Sequence, residues 1–150
     1  MKNVFFTLIT VFASVAVFAQ SNKQVNWTFS SKKIADKTYE IRMVANIKGD
    51  YHMYAQNAGE GPVPTSFIFS RNPLVSFDGK VKEIGKVKKV FEEAFESEVQ
   101  YYEKAVEFVQ VVKMRGNAKS NLGGKVEFMV CNETQCLPPA TVNFNISIGG

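Results

Sequence analysis

Lys125-Val-Glu-Phe-Met-Val130, Cys131-Asn-Glu-Thr-Gln-Cys136-Leu-Pro-Pro139 and Thr141-Val-Asn-Phe-Asn-Ile-Ser-Ile148 follow one another, and the fold is read from them. The outer runs alternate apolar and polar residues with a period of two, the mark of half-buried strands. The polar segment 132–135 between them has the composition of a hairpin connection. Residues facing each other across a hairpin have Cα atoms about 4.5 to 5.5 Å apart, a span that a disulfide bridges. Both cysteines of the chain lie here. One short-loop disulfide at the tip of a hairpin is therefore expected.

Within the first run, Val126, Phe128 and Val130 share one face. Cys131 has the parity of Glu127 and Met129, so it should leave the main core and be covered by something else. A bridge that closes so short a loop removes little entropy from the unfolded chain, on the order of 2 kcal/mol. Pro138 and Pro139 remove two backbone donors directly after Cys136, which leaves a stiff segment that pairs poorly with a neighbour. These features favour a reactive pair over a structural staple. Glu133 lies inside the loop with no nearby lysine or arginine, and an acidic neighbour disfavours a free thiolate. The expected chemistry is exchange with a matched partner thiol rather than general nucleophilic attack.

Outward from the cysteines the pattern stays that of strands. Val25–Phe29, Tyr39–Lys48, Tyr51–Tyr54, Thr65–Phe69 and Ala105–Met114 read as strands, and Lys48-Gly49-Asp50 as a turn. Asn57–Pro64 and Asn117–Gly124 are expected to be irregular, and Asp78-Gly79 reads as a hairpin between Val75–Phe77 and the run from Val81. Phe91–Glu98 reads as a loop or a single turn. Many short strands with regular turn signals and no convincing helix predict an all-β, immunoglobulin-like β-sandwich in one domain.

The N-terminus has Lys2, an apolar run from Val4 to Phe18 and the small-residue site Val17-Phe18-Ala19. It reads as a signal peptide over residues 1–19, with the domain at 20–150, export to the periplasm and no membrane anchor of its own. The 18 basic against 14 acidic residues give a net charge of +4. The lysines are scattered among glutamates rather than grouped with aromatics, so no nucleic-acid partner is expected. A copper site wants two histidines with a cysteine and a methionine. His52 is the only histidine and no methionine follows Cys136, so no cofactor or metal is expected.

The hairpin Cys131 to Pro139 resembles the active-site hairpin of the N-terminal periplasmic domain of the DsbD thiol:disulfide interchange family. Gly49-Asp-Tyr-His-Met-Tyr-Ala-Gln56 is similar to that family's aromatic strand. Glu92-Glu-Ala-Phe95, followed by Glu98-Val-Gln-Tyr-Tyr102, is similar to its cap loop. The resemblance implies an immunoglobulin-like sandwich that relays electrons to thioredoxin-fold partners. It implies that Cys136 forms the mixed disulfide and Cys131 resolves it. It also implies that Phe95 shields the pair, that Glu93 supplies the cap loop's acid, and that His52 and Tyr54 line the pocket. The full family protein continues into transmembrane helices and a further thioredoxin domain, so a separate membrane electron donor is expected here. The competing reading is a secreted β-sandwich binding module whose disulfide only pins a hairpin.

Overall fold

The structure, a computed structural model, describes residues 21–150. The expected signal peptide at 1–19 lies outside the described residues. One helical turn, α1 (Ser21–Gln24), leads into β1 (Val25–Ala35), β2 (Thr38–Ile47), β3 (His52–Gly59) and β4 (Ser66–Phe69). The chain continues through β5 (Val75–Ile84), β6 (Lys88–Glu92), β7 (Ser97–Glu103) and β8 (Ala105–Met114). It ends with β9 (Ser120–Phe128), β10 (Val130–Cys131) and β11 (Ala140–Ile148).

These strands form an immunoglobulin-like β-sandwich from three sheets, in the orders β1-β2-β8-β5, β10-β3-β7-β6 and β11-β9-β4. The alternation seen in sequence is the alternation of burial. Tyr39, Ile41, Met43, Ala45 and Ile47 are buried from β2, and Val106, Phe108, Val112 and Met114 from β8. They meet Leu122, Val126 and Phe128 of β9, Phe144, Ile146 and Ile148 of β11, and Met53 and Tyr102 of the small sheet in one core. Trp27 packs on Phe67, Phe108 and Phe128, with ring centroids 5.5 to 6.1 Å apart. On the opposite face of β2, Arg42 bridges Glu40 and Glu107.

Several local expectations are corrected. Asp78-Gly79 makes no hairpin, because both of its flanks pair with β8, Asp78 with Val111 and Lys82 with Val109. The extra residues form a bulge in β5, eased by the positive φ of Gly79 (71°). The buried Gln110 side chain closes this bulge, its Nε2 donating to the carbonyls of Asp78 (3.3 Å) and Gly79 (3.2 Å). Strand β3 runs on to Gly59, past where irregular chain is expected, because glycine at φ 93° lets pairing with Val99 resume after a bulge. Strand β9 begins at Ser120, inside the expected loop 117–124. In 91–98, Phe91 and Glu92 end β6 and Ser97 begins β7, which leaves only 93–96 as a turn.

The cysteine hairpin is also redrawn. Strands β9 and β11 do pair, from Ala140 against Phe128 to Ile148 against Ser120. The cysteines, however, lie beyond that ladder. Past Met129 the chain crosses to the small sheet, where Val130 and Cys131 pair with Met53 and His52. The prolines at 138 and 139 explain where the ladder stops: pairing with β9 starts at Ala140, the first residue after them that has a donor.

Candidate functional site

The crossing at Met129 decides where the disulfide sits. Phe128 and Val130 stay in the main core, while Cys131 joins a second, smaller cluster with Tyr54, Ala58 and Val99. This cluster covers the other face of the small sheet. Paired residues of antiparallel strands point to the same side, so Cys131, His52 and Glu103 form one row across β10, β3 and β7. Tyr54, Tyr101 and Lys88 form the next.

Cys131 and Cys136 are joined, with Cα atoms 4.0 Å apart. The two sulfurs have unequal surroundings. Cys131 is 2% exposed, whereas Cys136 is open to solvent. The loop between them is held in shape by Asn132. Its Oδ1 accepts from the backbone N–H groups of Thr134 (3.1 Å) and Gln135 (2.9 Å) and from the Thr134 hydroxyl (3.0 Å). Its Nδ2 donates to Asp50 (3.2 Å), and Gln135 Nε2 donates to the Tyr51 hydroxyl (3.0 Å), which ties the loop to the turn before β3. Asparagine suits this position because its short side chain reproduces a backbone turn.

The turn 93–96 borders the depressions that Cys136 also lines. Its backbone closes through Phe95 N–H to Glu92 C=O and Glu96 N–H to Glu93 C=O, both 3.2 Å. Phe95 is half-buried and packs edge-on against Tyr54, centroids 6.0 Å apart. Gly61 lies flat against the same ring, so close that a Cβ there would sit 2.6 Å from Phe95 Cδ1. Phe95 and Met129 line one depression beside Cys136, and Glu92, Glu93 and His52 line another. The disulfide lies where the two join.

All six sequence-predicted site residues fall in this region. The carboxylate that meets the aromatic pair is Glu92, to which the sequence reading gave no role of its own. Tyr54 Oη donates to Glu92 Oε2 (2.7 Å), and His52 Nε2 lies 3.1 Å from Glu92 Oε1. Glu93 is exposed at the lip of the depression. The reason is strand parity: Val90 and Glu92 face inward from β6 while Phe91 faces solvent, 67% exposed. The spacing of Phe91 and Phe95 hides that parity, whereas the alternation of Val90 and Glu92 carries it.

The aromatic row sets the protonation of the site. His52 stacks on Tyr101, centroids 4.0 Å apart. Burial depresses the His52 pKa below its ordinary value, against the opposing pull of Glu92 and Glu103. Burial, then the hydrogen bond and charge of Glu92, raise Tyr54 far above the usual phenol range, so it stays a hydroxyl donor. Lys88 pairs with Glu103 at 2.8 Å and holds that carboxyl below its usual range. Among the described residues no group of histidine, cysteine and acidic side chains is arranged to hold a metal.

Fold and site together define a class: immunoglobulin-like domains that carry a short-loop disulfide, flanked by an aromatic turn, on the outer face of one sheet. The sequence matches the family model described as thiol:disulfide interchange protein DsbD, N-terminal, over residues 19–148, and the chain belongs to that family. Among solved structures it is similar to the DsbD N-terminal domain of Neisseria meningitidis in the reduced form. The identity is 18%, the match covers 87% of this chain and 90% of that one, and the TM-score is 0.57. It is also similar to the N-terminal periplasmic domain of ScsB from Proteus mirabilis, at 16% identity and a TM-score of 0.54, covering 83% of this chain and 45% of that one. A third match is the complex between the DsbD N-terminal and PilB N-terminal domains of Neisseria meningitidis, at 15% identity and a TM-score of 0.54, covering 84% of each chain. At these identities the likenesses speak for the fold. No curated protein matches the sequence.

Proposed function

We propose that this protein is a periplasmic thiol–disulfide exchange domain that passes reducing equivalents through Cys131 and Cys136 to thioredoxin-like partners. The observation that carries the reading is the unequal exposure of the two cysteines beside a turn held by one aromatic ring. Cys136 is exposed and Cys131 buried, so an incoming sulfur reaches Cys136 first. Family membership supports the same chemistry. A relative's DsbD N-terminal domain is described in complex with a PilB N-terminal domain, which supports a protein partner.

In the reduced form, the Cys136 thiolate attacks one sulfur of a partner disulfide. A Cys136–partner S–S bond forms, the partner's own S–S bond breaks, and its second sulfur leaves as a thiolate and takes up a proton. Cys131 then loses its proton and attacks Cys136 Sγ. The intramolecular bridge re-forms and the partner departs with two electrons and two protons more than it brought. Running the steps backward reloads the domain from a donor, which we place in a separate membrane protein. Phe95 shields the pair from adventitious thiols between encounters. His52, Tyr54 and Glu92 fix the base of the turn that carries it. The mature domain is 20–150, released from the signal peptide at 1–19.

Trapping tests the assignment. Cys131→Ser leaves the attacking sulfur without its resolving partner and should accumulate a mixed disulfide with a thioredoxin-fold protein. Cys136→Ser should trap none. Capture by neither variant, in periplasmic extract or with purified thioredoxin-fold proteins, would leave the bridge as a pin in a binding module.

A further inference from the structure

We propose that the two depressions flanking Cys136 act as one docking surface for a partner whose reactive cysteine lies between an apolar and a cationic side chain. The proposal rests on the exchange reading above and adds the chemistry of the partner's face. On one side of Cys136 is a groove of about 410 Å³ walled by Ala94, Phe95 and Met129. On the other is a depression of about 380 Å³ lined by Asp50, Glu92, Glu93, Glu103 and Glu133. The two share Ala94, Asn132, Glu133 and Cys136 in their walls, so an approaching cysteine meets both at once.

Charge identifies the occupant. Five of the chain's 14 acidic residues line the second depression, and no lysine or arginine lines either one, although the whole chain has a net charge of +4. Glu103 has Lys88, and Glu92 has His52 and Tyr54. Among the described residues, Glu93 and Glu133 have no ion pair. A second copy of this face would set carboxylates against carboxylates. A cationic partner face fits, and it also offsets the repulsion between these carboxylates and the negative charge that develops on sulfur during exchange. The groove on the Phe95 side then takes the partner's apolar side chain as the ring moves aside.

The test uses the oxidised protein and three acetylated peptides with one cysteine each. One carries Leu before and Arg after the cysteine, the second Leu and Glu, the third Ser and Arg. Rates of bridge opening are divided by each peptide's rate with a neutral small disulfide, which removes differences in thiol acidity. The Leu/Arg peptide should react on the order of tenfold faster than Leu/Glu at low ionic strength, within the range electrostatic steering supplies. That ratio should fall toward one in about 1 M salt, where the screening length is about 3 Å. The Ser/Arg peptide should be severalfold slower than Leu/Arg. Glu93→Gln with Glu133→Gln should shrink the Arg/Glu ratio to about threefold or less. An Arg/Glu ratio near one at low salt, or one that the double substitution leaves intact, overturns the proposal. So does a dimer in sedimentation that protects Cys136 from thiols. Dithiothreitol, uncharged and without side chains, forms a separate arm. If it opens the bridge while the peptides show no preference, the docking surface fails and exchange stands; if it does not open the native bridge at all, the exchange reading itself fails.

Discussion

At the scale of single residues the site depends on which side chains lie above and below one cystine. Phe95 is half-buried, wedged between the Tyr54 ring and the backbone of Gly61. On the proposed shielding role, Phe95→Ala opens access to the pair without touching either sulfur, and access governs exchange rates. Reduction by dithiothreitol should accelerate by about tenfold, followed as loss of the bridge by alkylation and mass; an unchanged rate would mean that the ring is only packing. His52 makes a different prediction. Its folded pKa is depressed, so below the ordinary value near 6.5 the unfolded chain binds a proton that the folded protein does not. Stability should therefore fall as pH drops from about 7 to 5.5, and thermal melts of His52→Gln should lose that slope. Asp78 and Glu103, whose pKa values are lowered by Lys113 and Lys88, act in a lower window, from about pH 4 downward. The cysteines and their unequal setting were legible in sequence because parity and two prolines are local signals. Glu92 was not, because its role is set by the inward face of a five-residue strand whose neighbour Phe91 breaks the apolar rule.

At the scale of elements, bulges and strand crossings are where sequence reading parts from structure. An Asp-Gly pair promises a hairpin when its flanks can pair with each other. Here both flanks are claimed by β8, and the same residues become a bulge whose carbonyls are met by buried Gln110. Gln110→Leu removes the hydrogen bonds of a buried amide to these exposed carbonyls and should cost about 1 kcal/mol in chemical denaturation. A loss below about 0.5 kcal/mol would show that water replaces those bonds. The turn 93–96 depends in the same way on a distant element: its ring rests on Gly61, which carries no side chain to push it off. Nothing near residue 95 announces that contact. Long-range contacts of this kind leave no period in the sequence, whereas the one-sided burial of β2 and β8 writes itself plainly as alternation.

At the scale of the whole molecule, the strand content and sandwich class were readable because most strands keep one face in the core. The division into three sheets was not, since it turns on the chain leaving one ladder at Met129 and entering another at Val130. That crossing places the cystine outside the main core, so the core does not rely on it. Reduction should leave the protein folded. The short loop contributes about 2 kcal/mol in the chain-entropy account, which corresponds to a fall in Tm of roughly 5 to 10 °C for a domain of this size. Unfolding on reduction, seen by near-ultraviolet circular dichroism, would show that the bridge holds the sandwich together.

On the proposed exchange function, the same crossing has a consequence for how a partner tells a charged carrier from a spent one. A bridge tied into the central packing would broadcast its oxidation state through the whole body. Here the message stops at the second cluster. Amide hydrogen exchange in β2 and β8 should differ between the states only by the uniform loss of global stability, with further local differences confined to 129–137 and to the turn 93–96. In that proposed role, a partner senses the state of this protein at the sulfurs themselves, by touch rather than by shape.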